Sequence, residues 1–151
     1  MIYILMAIVL ISVGSQSIAT YNAFSQAPTS PTTIYINVVG HQFGWTFVYA
    51  DGYVSEDLAY VPTNAVIVFN VTSRDVYHQF GIPYFRVKTD AIPGRFNEVW
   101  IETTDPGTFT VQCFELCGAG HATMIGKLVV ESPTAFNQWY GSTETGAGGS
   151  S

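Results

Sequence analysis

Charge is what this chain has least of. Only 11 % of its 151 residues are Asp, Glu, Lys or Arg, and none of them precedes Asp51. Lys and Arg together number five, too few to form the clustered basic surface that nucleic acid requires, so nucleic-acid binding is excluded. The net charge of −6 suits either ordinary solubility or a basic protein partner. Cysteine is scarce as well, with two residues that allow one disulfide at most. Helical periodicity is missing between Ile34 and Glu131, and no internal repeat is present. The length fits about one domain with a modest appendage.

The appendage comes first. Residues 1–24 (MIYILMAIVLISVGSQSIATYNAF) are apolar through Val13, then small and mildly polar without a charge. Spanning a bilayer takes about 20 residues, so a single transmembrane anchor is expected. A cleaved signal peptide is the competing reading, but it calls for a basic start and a small-x-small cleavage site that this stretch lacks. Flanking charges that would set topology are absent. Residues 25–33 (SQAPTSPTT) read as a polar linker stiffened by Pro28 and Pro31.

From residue 34 to 132 the pattern changes to short β-branched and aromatic runs. IYINVVG, WTFVYA, AVIVFNVTS, RFNEVWIET, TFTVQC and KLVVE read as strands separated by turn residues. Strands so spaced predict an all-β sandwich of about a hundred residues. Residues 133–151 read as a largely disordered tail with one helical turn near Phe136 to Tyr140.

The chemistry concentrates in Cys113 to Met124, CFELCGAGHATM. A Cys-x-x-x-Cys pair alone leaves disulfide and metal equally open, although so small a ring would add little stability. The His121 and Met124 that follow turn the reading to metal. Thiolate, thioether and imidazole select copper, zinc or iron over magnesium or calcium. Structural zinc usually takes four Cys or His ligands and seldom methionine. A blue-copper site needs one thiolate; two thiolates four residues apart can bridge a pair of coppers. Each copper would then need one imidazole and one weak axial ligand. His78, in DVYH after the strongest strand, supplies the second imidazole. His41, in a Gly-His-Gln turn, is the remaining and weaker candidate.

GHQFGW (Gly40 to Trp45), DVYH (Asp75 to His78), VKTDAIPGR (Val87 to Arg95) and CFELCGAGHATM together resemble subunit II of the haem-copper cytochrome c oxidases. The resemblance covers Gly40 to Glu131 and implies a cupredoxin-like Greek-key β-sandwich behind one N-terminal transmembrane helix. It implies a dinuclear CuA centre bridged by Cys113 and Cys117, with His78 and His121 on one copper each. Met124 would be axial on the His78 side, and the Glu115 backbone carbonyl on the other. In the family the Glu115 carboxylate also lies near a magnesium site shared with subunit I. Asp90 and Arg95 would face subunit I, where Arg95 suits a haem propionate.

Two departures stand out. Most members carry two transmembrane helices, whereas this chain has at most one. That is similar to the short b-type class, in which a further small transmembrane subunit can supply the missing helix. Phe43 occupies the place of the tryptophan that receives electrons from cytochrome c, and Trp45 matches the second aromatic of that motif. Both are expected where electrons enter. The implied role is electron transfer from cytochrome c to a haem in subunit I, within a proton-translocating oxidase embedded in the cell membrane, the copper domain on its outer side. Dioxygen reduction would belong to subunit I, since this chain has no membrane-buried histidines to hold a haem. The rival readings are the CuA domain of a nitrous oxide or nitric oxide reductase and a mononuclear copper carrier.

Overall fold

The uncharged N-terminal stretch forms one helix, α1 (Ile2–Ser25), in the computed structural model of the chain, which describes residues 1–146. Its 24 residues extend about 36 Å, against a hydrocarbon core of about 30 Å. Mean hydropathy is 2.0 over its best window and none of its residues is buried. An apolar helix exposed on every side is costly in water, so α1 is a candidate membrane span. Its last turn does not hang free of the rest: the Trp100 indole N–H donates to the Phe24 carbonyl at 3.2 Å. The Pro-containing linker ends with the Thr32 carbonyl accepting from Val66 N–H at 2.9 Å.

Ten strands follow. They are β1 (Thr33–His41), β2 (Gly44–Tyr49), β3 (Val54–Glu56), β4 (Leu58–Pro62), β5 (Ala65–Ser73), β6 (His78–Ile82), β7 (Val87–Ala91), β8 (Asn97–Thr103), β9 (Gly107–Cys113) and β10 (Ile125–Glu131). One sheet runs β3-β2-β1-β5-β8 and the other β4-β10-β9-β6-β7. The β1–β5 and β4–β10 pairs are parallel and the remaining ladders antiparallel. Alternation sorts the side chains. Ile36 and Val38 of β1 and Trp45, Phe47 and Tyr49 of β2 turn inward, to meet Phe80, Ile82, Val111, Leu128 and Val130 from the facing sheet. β5 is buried along almost its whole length, as befits a strand flanked by β1 and β8.

Strand direction gives the sandwich two unlike ends. At one, β1, β5 and β9 finish while β6 and β10 begin, and every donor singled out from the sequence lies there. The other end is covered by α2 (Pro133–Gly146), which corrects the expectation of a largely disordered tail. Pro133 suits the first helical position, and Ser132 Oγ accepts from Ala135 N–H at 3.2 Å as an N-cap. Phe136, Trp139 and Tyr140 share one face of α2 and pack on Tyr49, Tyr53 and Tyr60. Burying those rings is what orders the segment. Residues 147–151 of the expected tail lie outside the described residues.

Candidate metal centre

Two strand ends and one loop converge on the site. His78 opens β6, Cys113 closes β9, and the loop between β9 and β10 carries Glu115, Cys117, His121 and Met124. Cys113 N–H donates to the Met124 carbonyl at 3.3 Å, which closes the loop at its base. A 3-10 turn over His121–Thr123 brings the imidazole back over the thiols.

The two thiols are free and buried, their sulfurs 3.9 Å apart, where a disulfide would need about 2.05 Å. Each has its own imidazole: His78 Nδ1 lies 3.9 Å from Cys113 Sγ, and His121 Nδ1 lies 3.6 Å from Cys117 Sγ. Each also has a weaker donor, with the Glu115 carbonyl 3.2 Å from Cys113 Sγ and Met124 Sδ 3.7 Å from Cys117 Sγ. His78, Cys113 and Cys117 offer donor atoms all within 4.8 Å of one another. His78 and Met124 are fully buried, while His121 is only half-buried. Burial, and next the neighbouring Cys113, push the Cys117 thiol up to about 11, so a soft cation binding here displaces a proton. Sulfur and imidazole in this number and burial fit copper.

Groups around the donors hold them in place. His78 Nε2 lies 2.8 Å from Asp75 Oδ1. Burial by itself would raise the Asp75 carboxyl, but hydrogen bonds from His78, Gln42 N–H and Val76 N–H outweigh it and hold the group at about 2. The Gln42 side chain donates to the Cys117 carbonyl from across the site. Beside it the Phe43 ring lies on the loop backbone: a Cβ on Gly120 would fall 2.4 Å from Phe43 Cδ2. Gly118, with φ at +138°, meets the same ring and could not carry a side chain without strain.

The six expected metal donors come together, His78 and His121 among them. His41 stands apart, its Nε2 3.3 Å from Glu56 Oε2. Phe43 is 38 % exposed, and Val76, Tyr77, Phe114 and Leu116 are exposed as well. Trp45 needs correction: it is fully buried, with its ring edge-on to His78 at 6.1 Å and to Phe80 at 5.2 Å. The alternation of β2 puts Trp45 on the same inward face as Phe47 and Tyr49, so it takes no part in a docking surface. Asp90 lies on β7, where hydrogen bonds from Gln79 (3.0 Å) and Tyr77 (2.8 Å), with Arg95 a lesser influence, hold its carboxyl below the usual range. Arg95 is exposed beyond the Pro93-Gly94 turn. Sequence reasoning passed over Gln42, Asp75 and Tyr77. Asp75 was within reach, since a carboxylate three residues ahead of a ligand histidine is a familiar orienting arrangement.

A two-sheet sandwich with a sulfur-and-imidazole loop at one end, joined to an apolar helix, defines a membrane-anchored cupredoxin-like protein. Residues 53–132, just over half of the chain, match the family model described as cytochrome c oxidase subunit II, periplasmic domain. The chain belongs to that family. It is 43 % identical over 122 residues to haem-copper oxidase subunit 2 of Aeropyrum pernix, covering 78 % of this chain and 52 % of the relative. Cytochrome c oxidase subunit 2 of Alkalihalophilus pseudofirmus is 38 % identical over 108 residues, covering 71 % of this chain and 32 % of the relative. The matches thus span about half and about a third of the length of these curated relatives. Among solved structures, the periplasmic domain of subunit II of cytochrome oxidase from Bradyrhizobium japonicum superposes with a TM-score of 0.73 at 33 % identity. That match covers 80 % of this chain and 99 % of the domain.

Proposed function

We propose that this chain is subunit II of a terminal cytochrome c oxidase. It serves as the port through which electrons from cytochrome c reach a haem in subunit I, where dioxygen becomes water. One observation carries the reading: two free thiols lie 3.9 Å apart in a buried site, with two imidazoles and two weaker donors within 3.9 Å of one sulfur or the other. Cys113, Cys117, His78 and His121, with Met124 and the Glu115 carbonyl as weaker donors, would hold a pair of copper ions. Bound there, a copper pair supplies one-electron redox chemistry with the charge shared between two ions.

The chain does the rest by holding still. Ligands at strand ends of a packed sandwich move little when the charge at their centre changes, which keeps the reorganisation cost of each transfer low. Burial of Cys113, Cys117, His78 and Met124 keeps water from competing as a ligand. Exposed Phe43, resting on the metal loop at Gly118 and Gly120, marks the face that a donor cytochrome would cover. On the subunit I side, Arg95 suits a haem propionate, Asp90 keeps its charge beside it, and the Glu115 carboxylate would help hold a shared magnesium. The anchor α1 spans the membrane once, with the copper domain on the outer face, and a small partner subunit supplies a further helix.

Purification from membranes, followed by metal analysis and electron paramagnetic resonance, tests this. Two coppers per chain, a mixed-valence spectrum and a co-purifying haem-bearing subunit are expected. One copper per chain, or an intense blue band without the mixed-valence pattern, refutes the dinuclear centre. Absence of a haem-bearing subunit removes the oxidase.

A further inference from the structure

Asp75 is the most heavily engaged carboxylate at this end of the sandwich. It sits in the turn between β5 and β6, three residues ahead of His78. Oδ1 receives His78 Nε2 at 2.8 Å, Val76 N–H at 2.6 Å and Ser73 Oγ at 3.3 Å, while Oδ2 receives Gln42 N–H at 2.7 Å. An ionised carboxylate can only accept. The proton of the neutral imidazole therefore rests on Nε2, and the Nδ1 lone pair is turned to Cys113 Sγ, 3.9 Å away. The opposite tautomer would set a lone pair against the carboxylate. With His78 fully buried, its own ring nitrogen has no solvent contact to take the place of the lost bond.

The second oxygen reaches a different element. Gln42 N–H belongs to the strap between β1 and β2, whose side chains bind the Cys117 carbonyl and cover Gly118 and Gly120. One carboxylate thus joins the turn that bears His78 to the strap that bears Phe43.

We propose that Asp75 is a positioning residue: it sets the tautomer and direction of the His78 ring and pins the Gln42-Phe43 strap to the same turn. The part of this that concerns copper rests on the function proposed above; the tautomer does not.

Nitrogen NMR of the His78 ring in the full-length, metal-free chain in lipid nanodiscs tests the tautomer, and titration with copper tests its consequence. The parent chain is expected to show a single Nε2–H tautomer. Asp75→Ala should populate both tautomers, bind copper about 10- to 100-fold more weakly and shift the reduction potential of the loaded centre. Asp75→Asn keeps an oxygen for the Nε2 proton, so it should retain the tautomer and lose less affinity. Asp75→Ala with an unchanged tautomer and potential overturns the proposal. If that variant does not fold, Asp75→Asn decides: parental affinity and potential overturn the proposal, and an intermediate loss supports it. A chain that shows the Nε2–H tautomer but takes up no copper leaves the positioning role standing and refutes the copper reading instead.

Discussion

The two ends of the sandwich are closed by opposite means. At the α2 end, aromatic rings from a helix lie on aromatic rings from strands, and buried apolar area does most of the closing. At the donor end, five side chains with metal-binding atoms and one carbonyl turn toward each other, while glycines let a strap lie flat on the loop. One end keeps the fold together and the other keeps its chemistry in place. The division has a physical basis. Ligands that face inward cannot also fill space as well as leucine or phenylalanine, so the stabilisation they forgo must come from elsewhere.

Substitutions that act at one end and spare the other put this division to the test. Cys117→Ser should have the largest effect: loss of the mixed-valence copper spectrum, with the metal-free chain still folded by circular dichroism. An unchanged spectrum would refute the bridging role. Trp139→Ala should lower unfolding free energy by about 2–3 kcal/mol in urea titrations, given partial burial of its ring. Copper content and spectrum should stay as in the parent, and a shifted spectrum would show that the ends are coupled. Met124→Leu should be the mildest. The side chain is fully buried and the swap conserves volume, so stability should change by less than about 1.5 kcal/mol. Both coppers should remain, and electrochemistry should find only a shifted potential.

The donor end was legible from sequence because chemistry is written in residue types. Two Cys, a His and a Met within one loop admit few readings, and His78 completes the set. The long strands were legible for a similar reason, since AVIVFNVTS is rich in β-branched residues and RFNEVWIET alternates. Shorter strands escaped notice. β3 is three residues long, β6 contains Gly81, and β7 lies within VKTDAIPGR, which reads as a turn until pairing with β6 shows otherwise. Of helix α2 only one turn was legible, because its tail is polar and Gly-rich and only tertiary packing rewards Phe136, Trp139 and Tyr140 for sharing a face. Trp45 was expected at the electron-entry motif, and the alternation of β2 puts it inside. Asp75 and Gln42 act through hydrogen bonds across the fold, which no local pattern records.

The contact between Phe43 and Gly120 has a consequence for descent as well as for structure. A ring of this size rests on the loop only because position 120 carries no side chain. Any gain of bulk there would push the ring outward, reshaping the face offered to a partner, and a larger ring at 43 would demand the glycine more strictly still. The two positions lie in different strand connections, yet they are not free to vary one at a time. A lineage that alters position 43 inherits a constraint on the metal loop, and relatives should show the two residues changing together.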